Sequence, residues 1–153
     1  MAKSKQSSTS PLSLLGIAFI GYLAIKHLGG AASSAISFGR PRIRFGGIQN
    51  WGVETTITIP VTNQNPVGLT IDGLLGQLKY GQYTLLPFQM ANQVHIAANA
   101  TTEVTFNGQI RFAEIGGNIL ALFTSGQIMQ DLRIQGQAYV AGLTIPFNSS
   151  IGL

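Results

Sequence analysis

The chain has 153 residues, enough for one packed domain of about 110 residues and an N-terminal appendage. Asp, Glu, Lys and Arg make up 9% of the residues, against about 25% in a typical soluble domain, so the surface is polar but weakly charged. The chain has no cysteine, which excludes disulfide bonds and thiolate metal sites.

The basic residues are concentrated before residue 48. Residues 1–47 carry six basic side chains and no acid, a charge of +6, whereas residues 48–153 carry three basic and five acidic side chains, a charge of −2. The six are Lys3, Lys5, Lys26, Arg40, Arg42 and Arg44. This pattern is typical of contact with anionic lipid headgroups. Because residues 48–153 contain no Lys/Arg-rich stripe interleaved with aromatic residues, we expect no nucleic-acid partner.

The chain begins with a basic, Ser-rich stretch, residues 1–10, that is predicted to be a disordered tail. Pro11 suits the first turn of a helix and Ser10 suits its N-cap. From Pro11 to Leu28 such a helix is roughly 27 Å long, close to the ~30 Å of a hydrocarbon core. Residues 11–38 are therefore predicted to be a membrane-anchor helix and a small-residue linker. The apolar side chains of the predicted anchor are Leu12, Leu14, Leu15, Ile17, Phe19, Ile20, Tyr22, Leu23 and Ile25.

Three interpretations of this apolar segment remain open. A transmembrane or membrane-inserted anchor is favoured, with Lys26 reaching the headgroups and Tyr22 near the interface. A cleaved secretory signal fits the basic start, the apolar centre and the small-residue tail, although Lys26 and His27 interrupt it. The third is a helix buried against protein in an assembly. For an anchor, the positive-inside rule places the C-terminal side inward.

Residues 39–47 alternate arginine with apolar residues, which predicts a strand with one charged side and one apolar side. The charged side holds Arg40, Arg42 and Arg44, and the apolar side holds Ile43 and Phe45. One interpretation is a solvated edge strand whose charges discourage pairing with another sheet. The other is a basic strip that, together with Lys26, contacts lipid phosphates.

The next stretch predicts a loop and then a half-buried strand. The loop covers Ile48 to Gly52, with Trp51 as a packing or interface residue. From Val53 to Val61 apolar and polar residues alternate, which predicts a strand with one buried face. Pro60 predicts an edge or a bulge at the end of this strand, because proline cannot donate a hydrogen bond to a neighbouring strand.

A polar turn follows, with Asn63, Asn65 and Pro66 at its centre. Asparagine side chains bond to nearby backbone and tolerate left-handed conformations, and proline fixes φ. We interpret the turn as a structural element that sets the register of two strands. Further strands are predicted over residues 69–71, 74–80, 83–88 and 94–98, with a break at Asp72–Gly73 and a hairpin turn at Tyr80–Gln82.

The C-terminal part continues the strand pattern, with one helical interruption. Residues 102–112 alternate and predict a long strand, whereas Ile115–Ser125 has the spacing of a short helix. Residues 132–140 and 143–147 predict a closing hairpin. Short strands separated by turns, with one short helix, predict an all-β fold. We expect a fibronectin III/immunoglobulin-like β-sandwich over residues 39–153.

These motifs, taken together, resemble a known family. The residues that carry the resemblance are Asn63, Asn65, Pro66, Leu69, Ile71, Tyr80 and Gly81, and the closing segment 136–147. Over residues 40–150 the chain resembles the type 2 late-embryogenesis-abundant (LEA) domain, also called the water-stress and hypersensitive-response domain, with Gln64 where that family usually has proline. The resemblance implies a sandwich similar to fibronectin type III domains, an N-terminal membrane helix, and a non-enzymatic role in stress protection or binding.

Residues that could support catalysis or bind metal are few and scattered. His27 and His95 are the only histidines, and no two acidic residues are close in sequence. No phosphate-loop, serine-hydrolase or zinc-protease motif occurs. We therefore predict no catalytic residue, no metal site, no cofactor and no small-molecule substrate.

The predicted function is a structural or binding role at a membrane. The partners expected are the lipid membrane and other protein subunits, and the expected location is a membrane, reached by one N-terminal pass. The alternative is a minor structural protein of a membrane-containing virion or another large assembly. The low charge, the absence of cysteine and the abundance of Gln, Asn and Gly keep that alternative open.

Overall fold

The computed structural model describes residues 35–151, which form two antiparallel β-sheets and a short helical segment. The strands are β1 (Ile36–Phe38), β2 (Arg42–Gln49), β3 (Gly52–Asn63), β4 (Leu69–Tyr80), β5 (Tyr83–Gln89), β6 (Val94–Ile96), β7 (Ala100–Arg111), β8 (Leu132–Val140) and β9 (Leu143–Ser150). Between β7 and β8 lie α1 (Phe112–Ile115), α2 (Gly117–Ser125) and a 3-10 helix (Gln127–Gln130). For this part of the chain the predicted all-β class is confirmed.

The first sheet has β3 at its centre, with β7 on one side and both β1 and β2 on the other. β1 pairs with the end of β3, where Phe38 lies opposite Val61. β2 pairs with the earlier part, where Arg42 lies opposite Thr58. β1 and β2 are therefore two parts of one interrupted edge strand, and the sheet has three strand positions.

The second sheet has β4 and β8 at its centre. β5 and β6 pair with successive parts of β4, so they also form one interrupted edge strand. β8 pairs with β4 on its other side, and β9 pairs with β8 at the far edge. This sheet has four strand positions, and it faces the three positions of the first sheet.

One hydrophobic core lies between the two sheets. Ile57, Ile59 and Val61 of β3 are 0% exposed, as are Leu78 of β4 and Ile134 of β8. All five belong to a single cluster of buried side chains. The alternation predicted for residues 53–61 is therefore confirmed, since every second side chain of a strand points to the same face.

The middle of the second sheet contains two glycines side by side. Gly76 of β4 lies opposite Gly136 of β8, and they pair outward with Phe88 of β5 and Phe147 of β9. A Cβ atom on Gly76 would lie 2.6 Å from the Phe88 ring, and one on Gly136 would lie 2.6 Å from the Phe147 ring. The two rings therefore occupy the space above the glycines, where Phe88 also contacts Phe106 at 4.7 Å between ring centroids.

The loop predicted from Ile48 to Gly52 was wrong, because it is a two-residue turn. β2 continues to Gln49 and β3 begins at Gly52. The two turn residues, Asn50 and Trp51, have φ values of 49° and 58°, the pattern of a type I′ hairpin turn. Glycine usually occupies the second position of such a turn. This chain has tryptophan there, so the turn was not recognised in the sequence.

Pro60 lies in the central strand of its sheet, so its predicted place at an edge or a bulge was wrong. Its carbonyl oxygen accepts a hydrogen bond from Gly39 N at 2.8 Å. The N and O atoms of a residue in an antiparallel strand point to the same neighbour. The absent N–H of Pro60 therefore faces the interruption between β1 and β2, and the sheet loses no hydrogen bond there.

Two further predictions concern breaks in the strand pattern. β4 is continuous from Leu69 to Tyr80, and its register with β8 shifts between Ile71 and Gly73. The predicted break at Asp72–Gly73 was therefore wrong, because a β-bulge inserts a residue without ending the strand. The predicted helix over Ile115–Ser125 is confirmed as α2, which Gly116 separates from α1.

The tail predicted at residues 1–10 and the helix predicted after Pro11 lie outside the described residues. Within residues 35–151 no helix is both long and apolar enough to cross a membrane. The last residues assigned to the linker, Ile36–Phe38, form β1. Ile36 is buried and pairs with Asn63, so the sheet begins before residue 39.

A fragment of residues 35–153 should fold alone, because the described residues by themselves form a continuous hydrophobic cluster between Ile36 and Ile151. We expect a β-rich circular dichroism spectrum and cooperative unfolding. A fragment beginning at residue 39 should be less stable by about 3 kcal/mol, because it lacks the buried Ile36 and also Phe38, which stacks on Phe147. Denaturant unfolding of both fragments, with Ile36→Ala as an intermediate control, measures this. An unfolded longer fragment, or equal stability of the two, would contradict the account.

Candidate functional site

Asn63, at the end of β3, has a fully buried side chain whose amide joins separate parts of the backbone. Its Nδ2 donates to the carbonyl oxygens of Val67 at 2.9 Å, Ala97 at 3.1 Å and Ile96 at 3.3 Å. Its Oδ1 accepts from the backbone N–H of Asn65 at 3.0 Å and from the Asn65 side chain at 3.1 Å. One side chain therefore fixes the β3–β4 turn to the loop between β6 and β7.

The same end of the sandwich receives the chain from its N-terminal side. Gln64 N donates to Ala35 O at 2.8 Å, and Asn99 N donates to Asn65 O at 3.0 Å. We call this end the asparagine pole, formed by Ala35, Asn63 and the turn residues 64–68, and Ala97 to Asn99. Pro66 is exposed in the turn. The geometry of the three motif residues is that of a structural connection between loops.

The arginines predicted to contact lipid phosphates lie along the interrupted edge strand of the first sheet. Arg42 forms an ion pair with Glu103 of β7, across β3. Arg40 Nη2 donates to Ile151 O at 3.5 Å. Arg44 is exposed opposite Thr56. The structure thus brings three of the four predicted cations together, while Lys26 lies outside the described residues.

These arginines differ in their distance from the asparagine pole. Arg44 lies opposite Thr56, seven residues before Asn63 and therefore roughly 23 Å from the pole along the sheet. Arg40 lies in the interruption much closer to it. The guanidinium of Arg40, however, reaches Ile151 O, which lies beside Leu132 at the end of the second sheet away from the pole. The ion pair of Arg42 agrees with the edge-strand interpretation of this segment.

The outer face of the second sheet is flat and uncharged at its centre. We call it the amide face, and it consists of Leu75, Gln77, Pro87, Gln89, Gln135 and Gln137. Gln77 lies between Pro87 and Gln135 in register, and Leu75 lies between Gln89 and Gln137. These side chains border a shallow depression of about 710 Å³. This face could not be predicted from the sequence, because alternation at Gln135 and Gln137 shows that they point outward but not which strand lies beside them.

An apolar patch lies at the other end of the sandwich from the asparagine pole. Trp51 is 79% exposed, the highest value among the large apolar side chains of the described residues, and Ile48 beside it is 57% exposed. They border a small apolar hollow of about 420 Å³ together with Phe112 and Leu120. β3 has 12 residues, so this patch is roughly 36 Å from the pole. Trp51 was predicted as a packing or interface residue, and the structure leaves it unpacked.

Side chains that could perform acid–base or metal chemistry remain dispersed in the described part of the chain. Across residues 35–151, no three His, Cys, Asp or Glu side chains lie close enough to hold a metal ion. His95 is exposed, and its Nδ1 lies 3.4 Å from the Thr70 hydroxyl. Its ring covers Gly68, where a Cβ atom would lie 2.9 Å from it. His95 therefore takes part in packing at the asparagine pole.

The model of one protein family, described as late embryogenesis abundant protein, matches residues 58–151, more than half of the chain. This chain belongs to the late embryogenesis abundant family. The resemblance found in the sequence is thereby confirmed. The LEA match includes the asparagine turn and all four strand positions of the second sheet, and it leaves out β1 and β2. Family membership therefore carries no information on the arginine edge.

Solved structures are similar to this chain at low sequence identity. A crystal structure of a protein from Archaeoglobus fulgidus has a TM-score of 0.51 at 10% identity and covers 73% of this chain and 90% of its own. The solution structure of AT1g01470 from Arabidopsis thaliana also has a TM-score of 0.51, at 15% identity, over 71% and 74% of the two chains. The solution structure of the LEA protein At2g46140.1 has a TM-score of 0.49 at 13% identity and covers 97% of this chain and 91% of its own. No curated protein matches the chain.

Proposed function

We propose that this LEA-family protein is a non-enzymatic structural or binding module held at a membrane by its N-terminal apolar segment. Its body is a sandwich of the fibronectin type III kind. The order of the strands supports this finer assignment, because three strand positions face four, and the interrupted edge strand, β3 and β7 form the smaller sheet. Membership of the LEA family supports a stress-related, non-enzymatic role.

One observation carries the proposal of membrane attachment. The apolar run from Pro11 to Ile25 has no charged residue, and the described residues form one continuous hydrophobic core from Ile36 to Ile151. A long uncharged apolar segment is stabilised by an apolar environment, and a bilayer supplies one. The chain enters the sandwich at the asparagine pole, beside Gln64, so a membrane holding the segment would lie at that end.

The basic residues have unequal parts in this proposal. Lys26 directly follows the apolar run, so it is the cation best placed to contact lipid phosphates, whereas the guanidinium of Arg40 bonds to Ile151 O. Arg42 is paired with Glu103, and Arg44 lies farther along the sheet, so both belong to the solvated edge. The predicted inward orientation and the virion alternative stay predictions, because residues 35–151 and the comparisons bear on neither.

Flotation with lipid vesicles tests this function. The full chain, reconstituted with neutral phosphatidylcholine vesicles, should float with them and stay bound after a high-salt wash, because apolar burial is insensitive to screening. The matched control is the full chain with Ile17→Lys and Ile20→Lys, which should not float, because a charge near the centre of a bilayer is strongly unfavourable. Release by salt, or equal flotation of residues 35–153, would contradict the proposal.

A further inference from the structure

We propose that the amide face binds a second copy of this chain, with the strands of the two facing sheets antiparallel. The face has no charge at its centre, and its side chains are amides, Pro87 and Leu75. Leu75 is 38% exposed in the middle of β4. Burying amides is far less costly than burying charges, and amide side chains can hydrogen-bond to one another across a pair of such faces.

The charges at the two ends of the face identify the partner. Lys79 of β4 lies directly opposite Arg133 of β8, and like charges in that position destabilise a sheet. The ion pairs of residues 35–151 are Arg42–Glu103 and Arg111–Glu114, so neither Lys79 nor Arg133 has an acidic partner within this part of the chain. An acid supplied by another molecule would relieve the repulsion.

Asp72, on the same strand, can supply that acid from a second copy. It is exposed at the bulge and is bonded only to the amide of Gln93, at 3.0 Å. Asp72 and Lys79 are seven residues apart, roughly 23 Å along β4. A two-fold axis that lies in the interface, perpendicular to the strands, places Asp72 of each copy against Lys79 of the other. An axis parallel to the strands would place Lys79 of one copy against Lys79 of the other. The repulsion between these two lysines therefore favours the antiparallel pair.

The same axis gives Leu75 a partner. Leu75 lies next to the midpoint between Asp72 and Lys79, so it meets Leu75 of the second copy near the axis. Four strand positions and roughly 23 Å of length give about 450 Å² per copy. About 900 Å² in total lies at the low end of specific interfaces. We therefore expect a reversible dimer whose population depends on concentration.

This pairing also fixes where the two chains enter. β4 begins at the asparagine pole, so antiparallel pairing puts the two poles at opposite ends of the dimer. If each chain is attached to a membrane as proposed above, this geometry makes the dimer a bridge between two membranes; the bridge therefore rests on the proposed function. The dimer itself depends only on the amide face, and it can be tested in detergent solution, where attachment plays no part.

Cysteine cross-linking of the full chain in mild detergent tests the pairing, because the native sequence has no cysteine. With a short bis-maleimide reagent, Leu75→Cys should cross-link to itself, and Asp72→Cys should cross-link to Lys79→Cys in a mixture of the two variants. The control is Thr105→Cys, exposed on the outer face of the other sheet, which should cross-link at the background level. Circular dichroism checks that each variant is folded.

Charge reversal separates a specific pair from random collision. In the Leu75→Cys background, Asp72→Lys should reduce the cross-linked fraction roughly tenfold, because it places cations against Lys79 and Arg133. Adding Lys79→Asp to that variant should restore most of it. Cross-linking of Leu75→Cys no stronger than the Thr105→Cys control would overturn the proposal. Strong cross-linking of Lys79→Cys to itself would also overturn it. The same holds if anionic lipid, which competes for Lys79 and Arg133, abolishes the cross-linking while Asp72→Lys has no effect.

Discussion

Replacing Gly136 with alanine should destabilise the domain by about 3 kcal/mol or more. A Cβ atom at this position would lie 2.3 Å from Leu75 O, 2.6 Å from Phe147 Cζ and 2.8 Å from Gly76 Cα. Two of these three neighbours are backbone atoms of the adjacent strand β4, which cannot move without breaking the β4–β8 pairing. Overpacking of a core typically costs about 1–3 kcal/mol, and a backbone clash lies at or above the upper end of that range.

Gly47 provides the matched control for this substitution. It is also a glycine in a strand, and a Cβ atom there would have no neighbour within 4 Å. Gly47→Ala should therefore leave the free energy of unfolding unchanged or raise it by up to about 1 kcal/mol, by restricting the unfolded chain. Denaturant unfolding of the two variants against the parent measures both effects. Similar stabilities of Gly136→Ala and Gly47→Ala would show that the adjacent glycines Gly76 and Gly136 are not needed for packing.

The strands of the core could be predicted because their signal is local. From Val53 to Val61 each buried side chain is followed by a more exposed one, and this period is visible in the sequence without knowledge of the fold. The helical spacing over Ile115–Ser125 is local in the same way. The asparagine turn could also be placed, since asparagine and proline act on their own backbone.

Features that depend on contacts between distant residues could not be predicted. Gly76 and Gly136 lie within predicted strands, and only their pairing shows that they make room for Phe88 and Phe147. The strand Ile36–Phe38 follows a run of small residues, and it forms because β3 offers it a partner. The amide face needed β4 and β8 side by side, so it had no signal within either strand.

Asn63 belongs to the same class, because its partners Ile96 and Ala97 are distant in the chain. Replacing it with alanine should destabilise the domain by about 3 kcal/mol. The carbonyl groups of Ile96, Ala97 and Val67 would lose their donor, and each unsatisfied buried polar group costs about 1–3 kcal/mol before relaxation. Thermal and denaturant unfolding measure this loss. A change of less than about 1 kcal/mol would show that water replaces the amide without penalty.

Asn63→Asp should be more destabilising than Asn63→Ala at pH 7, by about 1 kcal/mol or more, and its stability should depend on pH. One oxygen of the introduced carboxylate would keep the two Asn65 donors, whereas the other would face three carbonyl oxygens with no donor. Burial and these oxygens raise the pKa of that carboxyl above its ordinary value of about 3.9. The folded protein then keeps a proton that the unfolded chain has lost, so the free energy of unfolding falls as pH rises above about 4. Asn92→Asp, at an exposed position, is the control and should show no such loss. If the two aspartate variants have the same pH dependence between about pH 4 and 7, the buried hydrogen-bond network does not hold the asparagine pole together.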